Sequence, residues 1–284
     1  MTKSLLTKFL LTVLIFLFSE NIFAKDLFVD KLDTFISENN SDLNFEKAQT
    51  LQISNEQNVQ ALSYLPFKTD PIPMGFNPKT DSIFKASLIL HIKALPSLQD
   101  KLEKLKNNAE NAIAPEEFYL FETPTDISKI KIEVYAVLIN SFDELRGETI
   151  VSWNGENKTI APCHDGKTSH LDKRTAFLLG EVSIDLNDEY FTENNFIEFE
   201  SQNLIDYLNY AYGSVRAKSK SIAFPRIHNK LDVACIILKQ KFGLPKVEFY
   251  SSESFDEESD DEEQKDFRPK INFEFSSANQ KHTP

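Results

Sequence analysis

Residues 32–54, LDTFISENNSDLNFEKAQTLQIS, decide the fold class. Asp33 to Ser37 sets a β-branched and aromatic run against a cluster of Asn, Ser and Asp, side chains that bond their own backbone and favour turns. Thr50 to Ser54 then alternates polar and apolar residues with a period of two, as a strand with one buried face must. Two short strands joined by an Asn-rich turn are predicted, with residues 33–36 as the first strand of the domain.

The same period recurs along the chain. It predicts strands over 58–67, 82–93, 129–139, 181–186, 195–201, 221–224 and 233–239, then in VEFYSSES and RPKINFEF near the end. Residues 69–81 hold three prolines and a glycine and are predicted as a loop. Two stretches change to helical spacing. Leu98, Leu102, Leu105, Ala109 and Ala112 predict an inserted amphipathic helix over about 97–113, with Ser97 as N-cap and Pro115 as stop. Leu204, Leu208 and Tyr212 predict a short helix or a broad loop.

The order of landmarks resembles the DNRLRE-domain family, secreted β-sandwich modules related to carbohydrate-binding modules. Asp33-Thr34-Phe35-Ile36, then Asn44-Phe45 and Leu51-x-Ile53, resemble its opening. Phe67, Pro73, Gly75, Ile83, Ala86, Leu88 and Leu90 follow in the family's order. Phe142, Glu144, Thr149, Trp153, Asn154 and Pro162 keep the pattern of its aromatic, acid, Thr and Trp segment. Phe249, Ser251 or Ser252, Glu253, Pro269, Ile271, Phe273 and Phe275 resemble its closing strands. The chain departs from the family at Glu46, where the family favours Gly, at Phe142, where it favours Trp, and in the helical insertion. The resemblance implies an all-β, jelly-roll-type β-sandwich forming one domain over 25–276, to which the helical spacings add one or two inserted helices. It also implies a non-catalytic carbohydrate-binding or surface-attachment role.

Composition bounds the compartment and the partners. Lys3 and Lys8, the apolar run 9–18 and the small residue Ala24 read as a signal peptide over 1–24, too short for a membrane span. Its removal moves the formal charge from −13 to about −14, which disfavours nucleic acid and anionic lipid. An exported protein, periplasmic, cell-surface or secreted, is expected, with a polysaccharide or an envelope protein as partner and no membrane span in the mature chain. The sequence leaves the oligomeric state open. Cys163 and Cys235 are the only cysteines, in a chain sent to an oxidising compartment. If paired they would close a loop of about 70 residues, worth about 4 kcal/mol in the chain-entropy model. The sequence does not decide whether they pair.

Candidate chemistry is sparse. Cys163, His164 and Asp165 are adjacent, and adjacent side chains point apart, so they read as a loop rather than a nucleophile and base. His91 reads as a strand-face residue. Motifs for zinc, phosphate or acyl chemistry are missing, and no cofactor is expected apart from Ca2+ as one reading of the acidic loop. That loop, about 255–266, reads as a solvated hairpin connection, with Asp256, Asp260 and Asp261 as calcium ligands in the functional alternative. Arg216, Lys218 and Lys220 open the main basic concentration and read either as a solvated face or as a contact for an anionic glycan. Trp153, Tyr207, Tyr210 and Tyr212 read either as core or as sugar platforms, because a flat ring can stack on the apolar face of a pyranose while its polar edge stays wet. Two further readings stay open: an envelope structural or protein-interaction component, and an extracellular polysaccharide hydrolase or lyase. Residues 277–284 read as a short tail.

Overall fold

A computed structural model describes residues 21–29, 33–37, 45, 47–56, 59–70, 72–95, 129–137, 176–185, 196–214, 230–231, 233–241, 246–254 and 266–277. The strands are β1 (Asn21–Phe28), β2 (Thr34–Ser37), β3 (Thr50–Glu56), β4 (Val59–Lys68), β5 (Ser82–Ala94), β6 (Lys129–Val137), β7 (Ala176–Asp185), β8 (Phe196–Glu200), β9 (Val233–Gln240), β10 (Val247–Tyr250) and β11 (Lys270–Ser277). The one helix of the described residues, α1 (Gln202–Ala211), lies between β8 and β9. The protein is all-β with an inserted helix. The predicted insertion over 97–113 and the strand over 221–224 lie outside the described residues.

All strand pairs are antiparallel, in the order β1-β11-β5-β10-β3-β4-β9-β6-β7, with β2 added to β4 and β8 to β5. β11 pairs with β5 from Ser82 to Ile89, and β10 continues along the same edge from Ile92 to Ala94 while its other edge takes β3. The sheet therefore curls into a sandwich-like arrangement around one main core. Period-two alternation supplies that core: Ile130, Ile132, Val134 and Ala136 of β6, and Leu88 and Leu90 of β5, are fully buried. A second apolar cluster, Leu62, Tyr64, Val137, Val233, Cys235 and Ile237, lies on the other face of β4, β9 and β6.

β7 carries a bulge at Leu179, where the register with β6 slips by one residue. Gly180 follows at φ +152, and a Cβ there would stand 3.0 Å from the Phe199 ring. Its missing side chain lets β8 pack closely on β7.

The first strand among the described residues is β1, ahead of the residues 33–36 expected to open the domain. Asn21–Ala24, the end of the expected leader, form the first half of that strand. In the structure Asn21 to Phe28 pairs throughout with β11, and Phe23 stacks on Phe275 at 5.4 Å.

Chain-distant segments are fastened by buried polar groups. Ser201 caps α1 by accepting the Leu204 N–H at 3.0 Å, and Leu204, Tyr207, Leu208 and Ala211 bury one helix face. Asn209 fixes the helix to the start of β5. Its Oδ1 accepts the Ile83 N–H at 2.9 Å, and its Nδ2 donates to the carbonyls of Ile83 at 2.8 Å and Ile205 at 3.0 Å. Asp33, from the opening landmark, accepts the Ser252 N–H at 2.9 Å and the Ser252 hydroxyl, from the closing landmark. Burial pushes this carboxyl up to about 7, against the Ser252 hydrogen bonds and with the help of nearby Glu253.

Candidate functional site

The outer face of β5 is where aromatic side chains gather. Alternation turns Leu88 and Leu90 inward and leaves Ile89, His91 and Lys93 outward. β8 runs alongside with an exposed-buried alternation over its five residues, so Phe196, Glu198 and Glu200 face out. Register sets Phe196 against His91, Glu198 against Ile89 and Glu200 against Ser87. On the far side, β10 contributes Tyr250, and the segment leading into β11 contributes Phe267.

These rings form a row. Phe196 and His91 are 5.7 Å apart, His91 and Phe267 5.0 Å, and Phe267 and Tyr250 5.0 Å between centroids. Lys93 lies over the Tyr250 ring at 5.6 Å and covers that end. The internal rings use their faces on one another, while Phe196, at the other end, is 53% exposed. Phe196 is thus the ring with surface to offer, and the others fix the ground it stands on.

The surroundings of His91 favour its neutral form. Burial lowers its pKa first, Lys270 lowers it further, and Asp266 opposes both. Its Nδ1 atom is buried without a hydrogen-bond partner among the described residues, so the imidazole keeps an unused polar position beside Phe196.

Around the row most cations are matched to a carboxylate. Lys85 pairs with Glu274 at 3.4 Å, Lys270 with Asp26 at 3.0 Å, Arg268 with Asp266 at 2.8 Å and Lys246 with Glu248 at 2.7 Å. Beyond the β8–β5 ladder, the side-chain carboxylates of Glu198 and Glu200 meet no cation among the described residues. Among the described residues, the face beside Phe196 therefore carries surplus negative charge.

Of the two readings left open for the tyrosines, core or sugar platform, the structure places them in the core. Tyr207 and Tyr212 are at most 1% exposed and Tyr210 is 8% exposed, so none lays a ring on the surface. The reason is the helix itself, whose inward face carries Leu204, Tyr207, Leu208 and Ala211 together. The Tyr207 hydroxyl accepts the Cys235 N–H at 2.7 Å and shares its proton between the carbonyls of Val137 at 3.0 Å and Cys235 at 3.1 Å. Tyr212 packs against Phe76 and Phe273, and its buried hydroxyl has no partner among the described residues. Burial raises the pKa of all three phenols.

Trp153, Arg216, Lys218, Lys220, Asp256, Asp260 and Asp261 lie outside the described residues, as does Cys163. Cys235 is buried in β9 and disulfide-bonded, in a chain whose other cysteine is Cys163. Sequence reading missed Phe196, Phe267 and Tyr250 as a group. Each sits at an outward position of its own segment, and only strand pairing brings them together.

A second exposed apolar feature is the loop between β4 and β5. Pro73 to Phe76 form a turn closed by the Phe76 N–H on the Pro73 carbonyl at 3.0 Å, with Gly75 at φ +90 as a type II turn requires. Phe76 anchors the loop against Tyr212 and Phe275, and Met74 stands 96% exposed at its tip. Asp81 holds the base by accepting the Asn77 N–H at 2.8 Å.

Fold and site together define an all-β protein with a sandwich-like curled sheet and an aromatic row on one outer face. No protein-family model matches the chain, and no curated protein matches it. Among the described residues no helix is long and apolar enough to cross a membrane.

Proposed function

We propose that this is an exported, non-catalytic carbohydrate-binding or surface-attachment module, a member of the DNRLRE-domain family, and that Phe196 with His91 forms its sugar contact. The observation that carries this reading is the half-exposed Phe196 ring at the open end of a row fixed by His91, Phe267 and Tyr250. A rigid sheet face holds such a ring in place at little entropic cost, and an aromatic face suits the apolar face of a sugar. The half-buried imidazole beside it supports the Phe196 ring from one side. The basic and apolar N-terminal segment directs export, and a Cys163–Cys235 disulfide braces β9 afterwards. Calcium held by Asp256, Asp260 and Asp261, and a polyanion contact at Arg216, Lys218 and Lys220, stay as readings of the charge pattern of the sequence. Retention of the exported chain on a panel of insoluble polysaccharides tests it, with Phe196→Ala as comparison. Retention of the parent at least tenfold above the variant is expected. Equal behaviour of the two on every polymer contradicts it.

The second reading is an envelope protein-interaction component. It is favoured by Met74, a fully presented apolar side chain on a loop anchored by Phe76 and Asp81. Capture of one envelope protein that is lost on Met74→Ser, without retention on any glycan, would replace the first reading by this one.

A further inference from the structure

We infer that the glycan accepted beside Phe196 is one that carries amino groups, an unacetylated amino-sugar polymer, rather than an acidic one; this rests on the carbohydrate reading above. The argument is the charge left over on this face. Lys85, Lys270, Arg268 and Lys246 each meet a carboxylate within 3.4 Å. The carboxylates of Glu198 and Glu200 meet no cation among the described residues.

Position makes that surplus specific. Phe196, Glu198 and Glu200 alternate along one short strand and project from the same face, spaced by about 7 Å per pair of residues. A polymer stacked on Phe196 and running along β8 would bring its substituents over both carboxylates in turn. Ammonium groups there are attracted by the carboxylates, and the first of them also by the ring face, whose quadrupole is negative. Uronate or sulfate groups would meet like charge at every step, which excludes them more strongly than a neutral sugar. Lys93, which could reverse this balance, sits at the other end over Tyr250 and is separated from Phe196 by the rest of the row. The face therefore discriminates by charge, while the ring supplies the sequence-independent part of the contact.

The test uses the full exported chain at pH 5.5 and three probes: chitosan, its fully N-acetylated counterpart, and alginate. The variants are Glu198→Gln with Glu200→Gln, and Phe196→Ala, each checked for folding by circular dichroism. The expected result is at least tenfold tighter binding to chitosan than to the acetylated polymer, no binding to alginate, and a preference that shrinks as salt is added. The double Gln variant should lose that tenfold preference. Preference for alginate, or for the acetylated polymer, overturns the inference and leaves the carbohydrate reading standing. Chitosan binding that ignores the double Gln variant also overturns it, since it would then reflect the overall charge of the chain. Binding to all three probes that ignores Phe196→Ala overturns the carbohydrate reading itself.

Discussion

Two aromatic groups of this protein look alike in sequence and do opposite work. Tyr207 and Tyr212 lie at the helix, inside the core, and Tyr207 is wired to backbone groups of β6 and β9. Phe196, His91, Phe267 and Tyr250 lie outside, drawn together from three strands and a connecting segment, and end on an exposed ring. The inner group fastens the fold and the outer group presents a surface. The lesson is that exposure of a ring is set by which face its element buries. Residue type alone does not set it.

That contrast can be broken from the inside first. Asn209→Ala removes the side chain that satisfies both backbone groups of Ile83 in a buried place, and should cost about 3 kcal/mol of unfolding free energy. Urea unfolding measures it; a loss under about 1 kcal/mol would mean the helix is not fastened to β5 in this way. Tyr207→Phe keeps the ring and deletes the hydroxyl, leaving the Cys235 N–H unpartnered by that side chain. A loss of about 2 kcal/mol is expected, with near-ultraviolet circular dichroism otherwise unchanged.

Asp33 sharpens the same side of the comparison through pH. Its folded value of about 7 stands above its ordinary 3.8, so the folded state holds the proton more tightly than the unfolded chain. Its contribution is therefore present in full below about pH 4, falls as pH rises, and is gone above about pH 7. Asp33→Asn cannot titrate. The Tm difference between parent and variant should shift against the parent between pH 4.5 and 7.5, while effects of His91, common to both, cancel. A pH-independent difference would contradict the assignment.

On the outside the expectation reverses. Phe196→Ala should change stability by less than about 1 kcal/mol, because the ring is half exposed and touches mainly His91. Its effect belongs in binding. A large loss of stability would move Phe196 to the inner group and end the contrast.

Much of this was legible in the sequence. Period two marked β3, β4, β5, β6, β8, β9 and β11, and helical spacing marked α1 within a few residues. The same helical spacing already held the answer for the tyrosines: Leu204, Leu208 and Tyr212 define an apolar stripe, and Tyr207 falls within it. β1 was hidden because its first half continues an apolar leader, and local pattern cannot show that β11, far along the chain, completes it. The outer row was hidden for the same physical reason. His91 and Phe267 are 5.0 Å apart in space, and register between non-adjacent strands is written in tertiary pairing, not in composition.

The most direct measurement is a side-chain NMR titration of the folded chain with a soluble chitosan oligosaccharide. Ring signals of Phe196, His91, Phe267 and Tyr250 should move together and saturate, while those of Tyr207 and Tyr212 stay fixed. Movement of the inner tyrosines with a silent outer row would contradict the division of labour between the two groups.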